Sequence, residues 1–245
     1  DWCASRKVTF TGHWSEGVNR GDWLGTAAEQ QVPGIDVLGG QSVFGKLITL
    51  PRQIASVARM TGRTRVLAET HGVTAWDFEL SDKVRMADML TLLGVNLHAP
   101  IDYAYSFRSM RKHTVNPPGC YHAPAWQYQK YFSDRVARLC MVTSMGRAMV
   151  ETAILYPSHA CLANALRDTS ANEHLEQHIR TVFTMLLGAQ VESDFLIESL
   201  LRHARVAKGR ISCPGAEYRT VILAGVKILA PETFLALTKF VKTGG

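Results

Sequence analysis

The sequence predicts an α/β protein, and three observations carry that prediction. Short apolar runs with strand character alternate with helix-like stretches over the first 100 residues. Each run opens into a polar, glycine-bearing or aromatic loop, as strands of a parallel sheet do at their carboxyl ends. The pattern then breaks and restarts at Glu151, which predicts a second, smaller α/β unit.

In chain order, residues 7–11 read as a strand and 22–31 as a helix, followed by a strand at 34–38. Residues 51–60 read as a helix with Pro51 at its first position, where a missing N–H costs nothing. A strand at 65–69 precedes a helix at 81–93, with Ser81 as its N-cap. Residues 94–98 form the fourth strand. Alternation of this kind argues for a parallel sheet. Four strand–helix units make half of an eight-stranded barrel, and closing one requires more strands.

Residues 107–120 are a polar, proline-containing connection. A long helix spans 126–145, with Tyr128, Tyr131, Phe132, Val136, Leu139 and Val142 at helical spacing and Gly146 as its stop. The second unit contains strands at 152–157, 190–195 and 219–224, and helices at 173–187, 196–204 and 231–241. The expected division is residues 1–148 and 149–245, the latter flavodoxin-like or Rossmann-like. It carries neither G-x-G-x-x-G nor a P-loop, so no nucleotide site is expected.

The 245 residues are 47% hydrophobic and 20% charged, enough to bury a core without a metal or disulfide framework. A net charge of +6 raises the question of nucleic acid, but the basic residues are scattered and nucleic acid is not an expected partner. No apolar run reaches 18 residues, so no membrane partner is expected either. Cys3, Cys120, Cys140, Cys161 and Cys213 are odd in number and lack metal spacing. Buried reduced thiols in a reducing, cytoplasmic compartment are the expectation, with no cofactor. The first residues do not resemble a signal peptide, and both ends read as cut from a longer chain.

The strand ends present the chemistry. The first leads into His13, Trp14 and Glu16, and the second carries Asp36 before Gly39 and Gly40. The third ends on Glu69 and His71, followed by Trp76. The fourth carries His98, then Tyr103, Tyr105 and Arg108. If these ends converge, carboxylates, imidazoles and aromatic rings share one site. Aromatic faces stack on sugar C–H faces, polar groups read hydroxyls, and paired carboxylates supply acid, base or nucleophile.

The run through Thr11-Gly12-His13, Pro33-Gly34-Ile35-Asp36, Ala68-Glu69-Thr70-His71-Gly72, Leu93-Gly94-Val95-Asn96, Arg111-Lys112 and Pro117-Pro118 is similar to large bacterial glycoside hydrolases. So is the later run through Ser144-Met145-Gly146-Arg147, Ile154-Leu155-Tyr156-Pro157, Asp194-Phe195 and Pro231-Glu232-Thr233. Together they most resemble the α-L-rhamnosidase group and β-galactosidase-like relatives. The resemblance implies the C-terminal half of a (β/α)₈, or TIM-type, barrel followed by a small flavodoxin-like α/β domain. It makes residues 65–69 the seventh barrel strand and Glu69 the nucleophile of a retaining enzyme or the base of an inverting one. The acid would follow an earlier strand, and within this chain Glu16 is its substitute. The group often holds calcium in accessory architecture, but no calcium loop is spelled here.

Each residue also has a structural reading. Glu69 could be a carboxylate salt-bridged to Arg63 or Arg65, and Glu16 a solvated loop residue. His13, His71 and His98 could be packing histidines, and Asp36 a turn cap. Trp14, Trp76, Tyr103 and Tyr105 could be core. The expectation is therefore a glycoside hydrolase with a carbohydrate substrate: Glu69 and Glu16 are catalytic, and His13, Trp14, Asp36, His71, Trp76, His98, Tyr103 and Tyr105 bind substrate. The alternative is a non-catalytic carbohydrate-binding or assembly protein derived from one, with residues 149–245 able to support a homo-oligomer.

Overall fold

A computed structural model describes residues 2–13, 21–37, 48–74, 76–101, 106, 108–112, 121–165 and 169–245. Among these residues the chain is α/β, with two parallel three-stranded sheets and one small antiparallel sheet.

The first sheet contains β1 (Gly34–Val37), β2 (Leu67–Thr70) and β3 (Leu97–Pro100), paired in chain order and all parallel. The helices around them are α1 (Trp2–Ser5), α2 (Trp23–Ala27), α3 (Leu50–Met60), α4 (Leu80–Leu92) and α5 (Gln129–Met145). The predicted strand at 7–11 is reduced to a single parallel bridge from Thr11 to Val32. Side chains divert its ladder: Phe10 N–H donates to Gln31 Oε1 at 2.8 Å, and Thr11 Oγ1 donates to the Val32 carbonyl at 2.8 Å.

Local chemistry also moves helix ends. The cap of α4 is Glu79 rather than Ser81. Its side chain accepts the backbone N–H of Asp82, in the first turn, while the Asp82 carboxylate accepts Glu79 N–H at 3.1 Å, a reciprocal capping box. The predicted 126–145 helix divides into a 3₁₀ turn over Pro124–Tyr128 and α5, which ends at Gly146 as expected.

The second sheet has the order β5 (Ser193–Ile197), β4 (Thr152–Tyr156), β9 (Thr220–Ile222), again parallel. Helices α6 (Ser158–Ala165) and α7 (Thr169–Gly188) connect β4 to β5, and α8 (Pro231–Lys242) follows β9. The stretch expected to be helical at 196–204 is instead a 3₁₀ segment, Glu198–His203. An unanticipated antiparallel sheet, β6 (Arg205–Ala207), β7 (Arg210–Ser212) and β8 (Glu217–Tyr218), intervenes before β9. Lys208 and Gly209 both have positive φ (53° and 63°), the backbone of a two-residue hairpin turn matched to strand twist.

One apolar cluster runs from Trp23 and Leu24 through Ile54 and Leu90 to Ile154, Phe183 and Phe195. At its centre lies α3, almost wholly buried, with the first sheet on one side and β5 on the other. Phe195 N–H donates to Ser56 Oγ at 2.9 Å, and Ile197 N–H donates to Met60 Sδ at 3.3 Å. Four helical residues rise about 6.0 Å and two strand residues about 6.6 Å. A helix face can therefore track the strand edge, which would otherwise present open amides. Arg59 and Arg52 also reach Asp194 of β5, whose other oxygen accepts from Tyr218 Oη at 3.2 Å.

Candidate functional site

Register decides which side chains share a face. Asp36, Glu69 and Ala99 are paired positions on β1, β2 and β3, so they form one row. Ile35, Ala68 and His98 form the row before it and point to the opposite face. That opposite face is covered by helices: Ile35, Val37, Ala68 and Thr70 are all buried. Glu69 keeps 21% of its side chain exposed, on the face away from the helices.

The strand spacing of about 4.8 Å sets Asp36 beside Glu69 at the carboxyl ends of β1 and β2. His13, following the bridge outside β1, reaches across to Glu69, with Nε2 2.7 Å from Oε2. The partner of Glu69 is thus an imidazole, not Arg63 or Arg65. Three packing details hold the His13 segment: Gln31 Oε1 accepts Phe10 N–H, Gln30 Oε1 accepts Gly34 N–H at 3.2 Å, and Gly34 abuts the Gly12 carbonyl.

His71 and His98 lie elsewhere. His71, at φ 66°, is 3% exposed and packs edge-on against Phe132 and Phe78, with centroids 5.6 and 6.2 Å away. Its Nε2 faces the Lys83 carbonyl at 3.4 Å, which requires a ring N–H there, so Nδ1 accepts from Thr70 Oγ1 at 2.8 Å. His98 Nε2 lies 3.1 Å from Thr91 Oγ1, whose own hydrogen goes to the Ala87 carbonyl. Burial holds both imidazoles down, to about 4. These placements favour the packing role for both histidines.

Trp76 is exposed in the loop after β2. Trp14, Glu16, Tyr103 and Tyr105 lie outside the described residues. The described residues therefore bring together His13, Asp36 and Glu69. Missing from the sequence reading was the contact between His13 and Glu69; its one legible signal is a histidine two residues beyond a strand-like run.

A cavity of about 480 Å³ lies at the opposite end of the first sheet, among the C-terminal turns of α3, α4 and α5. Its arginines have structural work: Arg52 donates to the Leu92 carbonyl at 3.3 Å and pairs with Glu192 at 3.0 Å, while Arg59 pairs with Asp194. Cations there complement three helix C-termini. Among the described residues no three His, Cys, Asp or Glu side chains gather where they could hold a metal ion. The described cysteines Cys3, Cys140, Cys161 and Cys213 are unbridged, and burial pushes the Cys161 thiol up to about 12. No described helix is long and apolar enough to cross a membrane.

A rhamnosidase from Novosphingobium sp. PP1Y superposes on 99% of this chain with a TM-score of 0.71 and 18% sequence identity. The chain is similar in fold to part of that rhamnosidase. It spans 23% of the rhamnosidase's length, and at this identity the likeness speaks for fold alone. No protein-family model matches the sequence, and no curated protein matches it.

Proposed function

We propose that this chain carries part of the sugar site of a rhamnosidase-like glycoside hydrolase, with Glu69 as its catalytic carboxylate. The supporting observation is the juxtaposition of His13, Asp36 and Glu69 on one face at the carboxyl ends of parallel strands. Working residues gather at that end of parallel α/β sheets. In this reading residues 1–148 are the C-terminal half of a (β/α)₈ barrel and 149–245 a flavodoxin-like domain.

In a retaining reaction Glu69 attacks the anomeric carbon while an acid protonates the departing oxygen, and water then releases the sugar. In an inverting reaction Glu69 takes a proton from the water that attacks instead. His13 orients Glu69 through their 2.7 Å contact. Asp36 is the neighbouring carboxylate, suited to a sugar hydroxyl. Glu16 remains the in-chain acid of the proposal, and Trp14, Trp76, Tyr103 and Tyr105 its stacking surfaces.

Turnover of an aryl α-L-rhamnoside tests the reading. Glu69→Gln should remove nearly all of it while sugar binding persists; unchanged turnover sinks the assignment. The second reading is a non-catalytic carbohydrate binder that uses the same cluster of His13, Asp36 and Glu69. Saturable rhamnose binding without turnover in the parent chain would select it. A role for residues 149–245 in forming a homo-oligomer is tested by light scattering on the eluting protein, and a monomer removes it.

A further inference from the structure

The second sheet has its own reversal of strand order. Helices α6 and α7 carry the chain from β4 to β5 on one side, and the chain later returns to β9 on the other. The carboxyl ends of β4 and β9 lie side by side, and parallel α/β sheets place ligands outside the carboxyl ends of their strands. A cavity of about 530 Å³ occupies this position, between the start of α7, α6 and the loop after β9. Its volume is that of a small-molecule site.

We propose that this cavity binds a small organic oxyanion, held by His174, His178 and Lys227. These are its ionisable lining residues among those described, and no carboxylate lines it. His174 and His178 are one helical turn apart on α7, so their rings emerge side by side. Lys227 enters from the loop after β9 and supplies the ammonium charge that an oxyanion pairs with. Gly225, at φ 67°, lets that loop close on His178: a Cβ there would stand 3.1 Å from the imidazole. Ala160, Leu175 and Ile228 give an apolar surface for the organic part of the ligand.

Two histidines at this spacing also suit a transition metal, but zinc sites draw on three or four protein ligands. Among the described residues the cavity offers no third imidazole, thiol or carboxylate, and the ammonium opposes a cation. The oxyanion could belong to a phosphate monoester or to a carboxylate. Both present the same acceptor chemistry, and titration separates them.

The test is NMR of the histidine ring signals of the full chain, titrated in parallel with glycerol 3-phosphate, with lactate, and with sodium chloride at matched ionic strength. Signals of His174 and His178 should shift saturably with one of the two organic anions and not with chloride. Lys227→Ala should weaken that binding at least tenfold without moving the thermal unfolding midpoint; Lys227→Gln serves if alanine lowers it. Non-saturating shifts with both anions, or equal affinity in the lysine variant, would overturn the site. So would saturation by zinc chloride at lower concentration than by either anion.

Discussion

His13 Nε2 lies 2.7 Å from Glu69 Oε2, across the strand that carries Asp36. The contact joins residues 56 positions apart, and it fixes the carboxylate whose orientation the proposed chemistry needs. His13→Ala is therefore expected to lower kcat about 10- to 100-fold on an aryl glycoside, with a smaller change in KM. His13→Gln should recover part of the loss, because an amide can still donate to the carboxylate. Equal activity in wild type and His13→Ala would remove the positioning role.

Gly34 holds the His13 segment against β1. A Cβ on Gly34 would collide with the Gly12 carbonyl oxygen, which belongs to backbone rather than to a flexible side chain. Gly34→Ala should cost about 1–3 kcal/mol by overpacking and should reproduce the kinetic loss of His13→Ala. Urea unfolding and kcat measured on the same preparation check both halves of that expectation.

The buried ion cluster predicts a larger stability effect. Asp194 has no exposed side-chain surface and is held by Arg59, Arg52 and Tyr218. Arg59→Met strips the nearest cation from a buried carboxylate and should destabilise by about 3–5 kcal/mol. Adding Asp194→Asn should recover much of that loss. A double variant no more stable than Arg59→Met would show that Arg59 acts by packing instead.

Acid should weaken the fold through His71 and His98. Burial holds both near 4 in the folded chain, against about 6.5 when unfolded. The unfolded state therefore binds more protons between those values, and stability falls as pH drops from about 6.5 toward 4. The loss reaches up to about 3 kcal/mol for each imidazole. Urea midpoints at pH 7, 5.5 and 4 measure it, and His98→Gln should flatten the slope over that window. A slope unchanged by His98→Gln would exclude that residue as a source.

By itself the sequence determined where parallel strands and most helices form. Runs at 34–38, 65–69, 94–98, 152–157 and 190–195 were legible from local pattern and breakers such as Pro157, because periodicity is a property of neighbouring residues. The strands at Leu67–Thr70, Leu97–Pro100 and Ser193–Ile197 nevertheless begin two or three residues later than that pattern. The Lys208–Gly209 turn escaped because Lys-Gly is a weaker hairpin signal than Asn-Gly. Tertiary structure decided which polar residues share a face and which are enclosed by packing. His71 and His98 read in sequence as equals of His13, yet strand register turns His98 toward the helices, and His71 is enclosed by Phe78 and Phe132. Arg52, Ser56 and Arg59 look like the wet side of a helix, but α3 is buried because a second sheet packs against it and takes up their polar atoms. A side chain's partner across more than a hundred residues is set by how layers stack, and no local pattern encodes that.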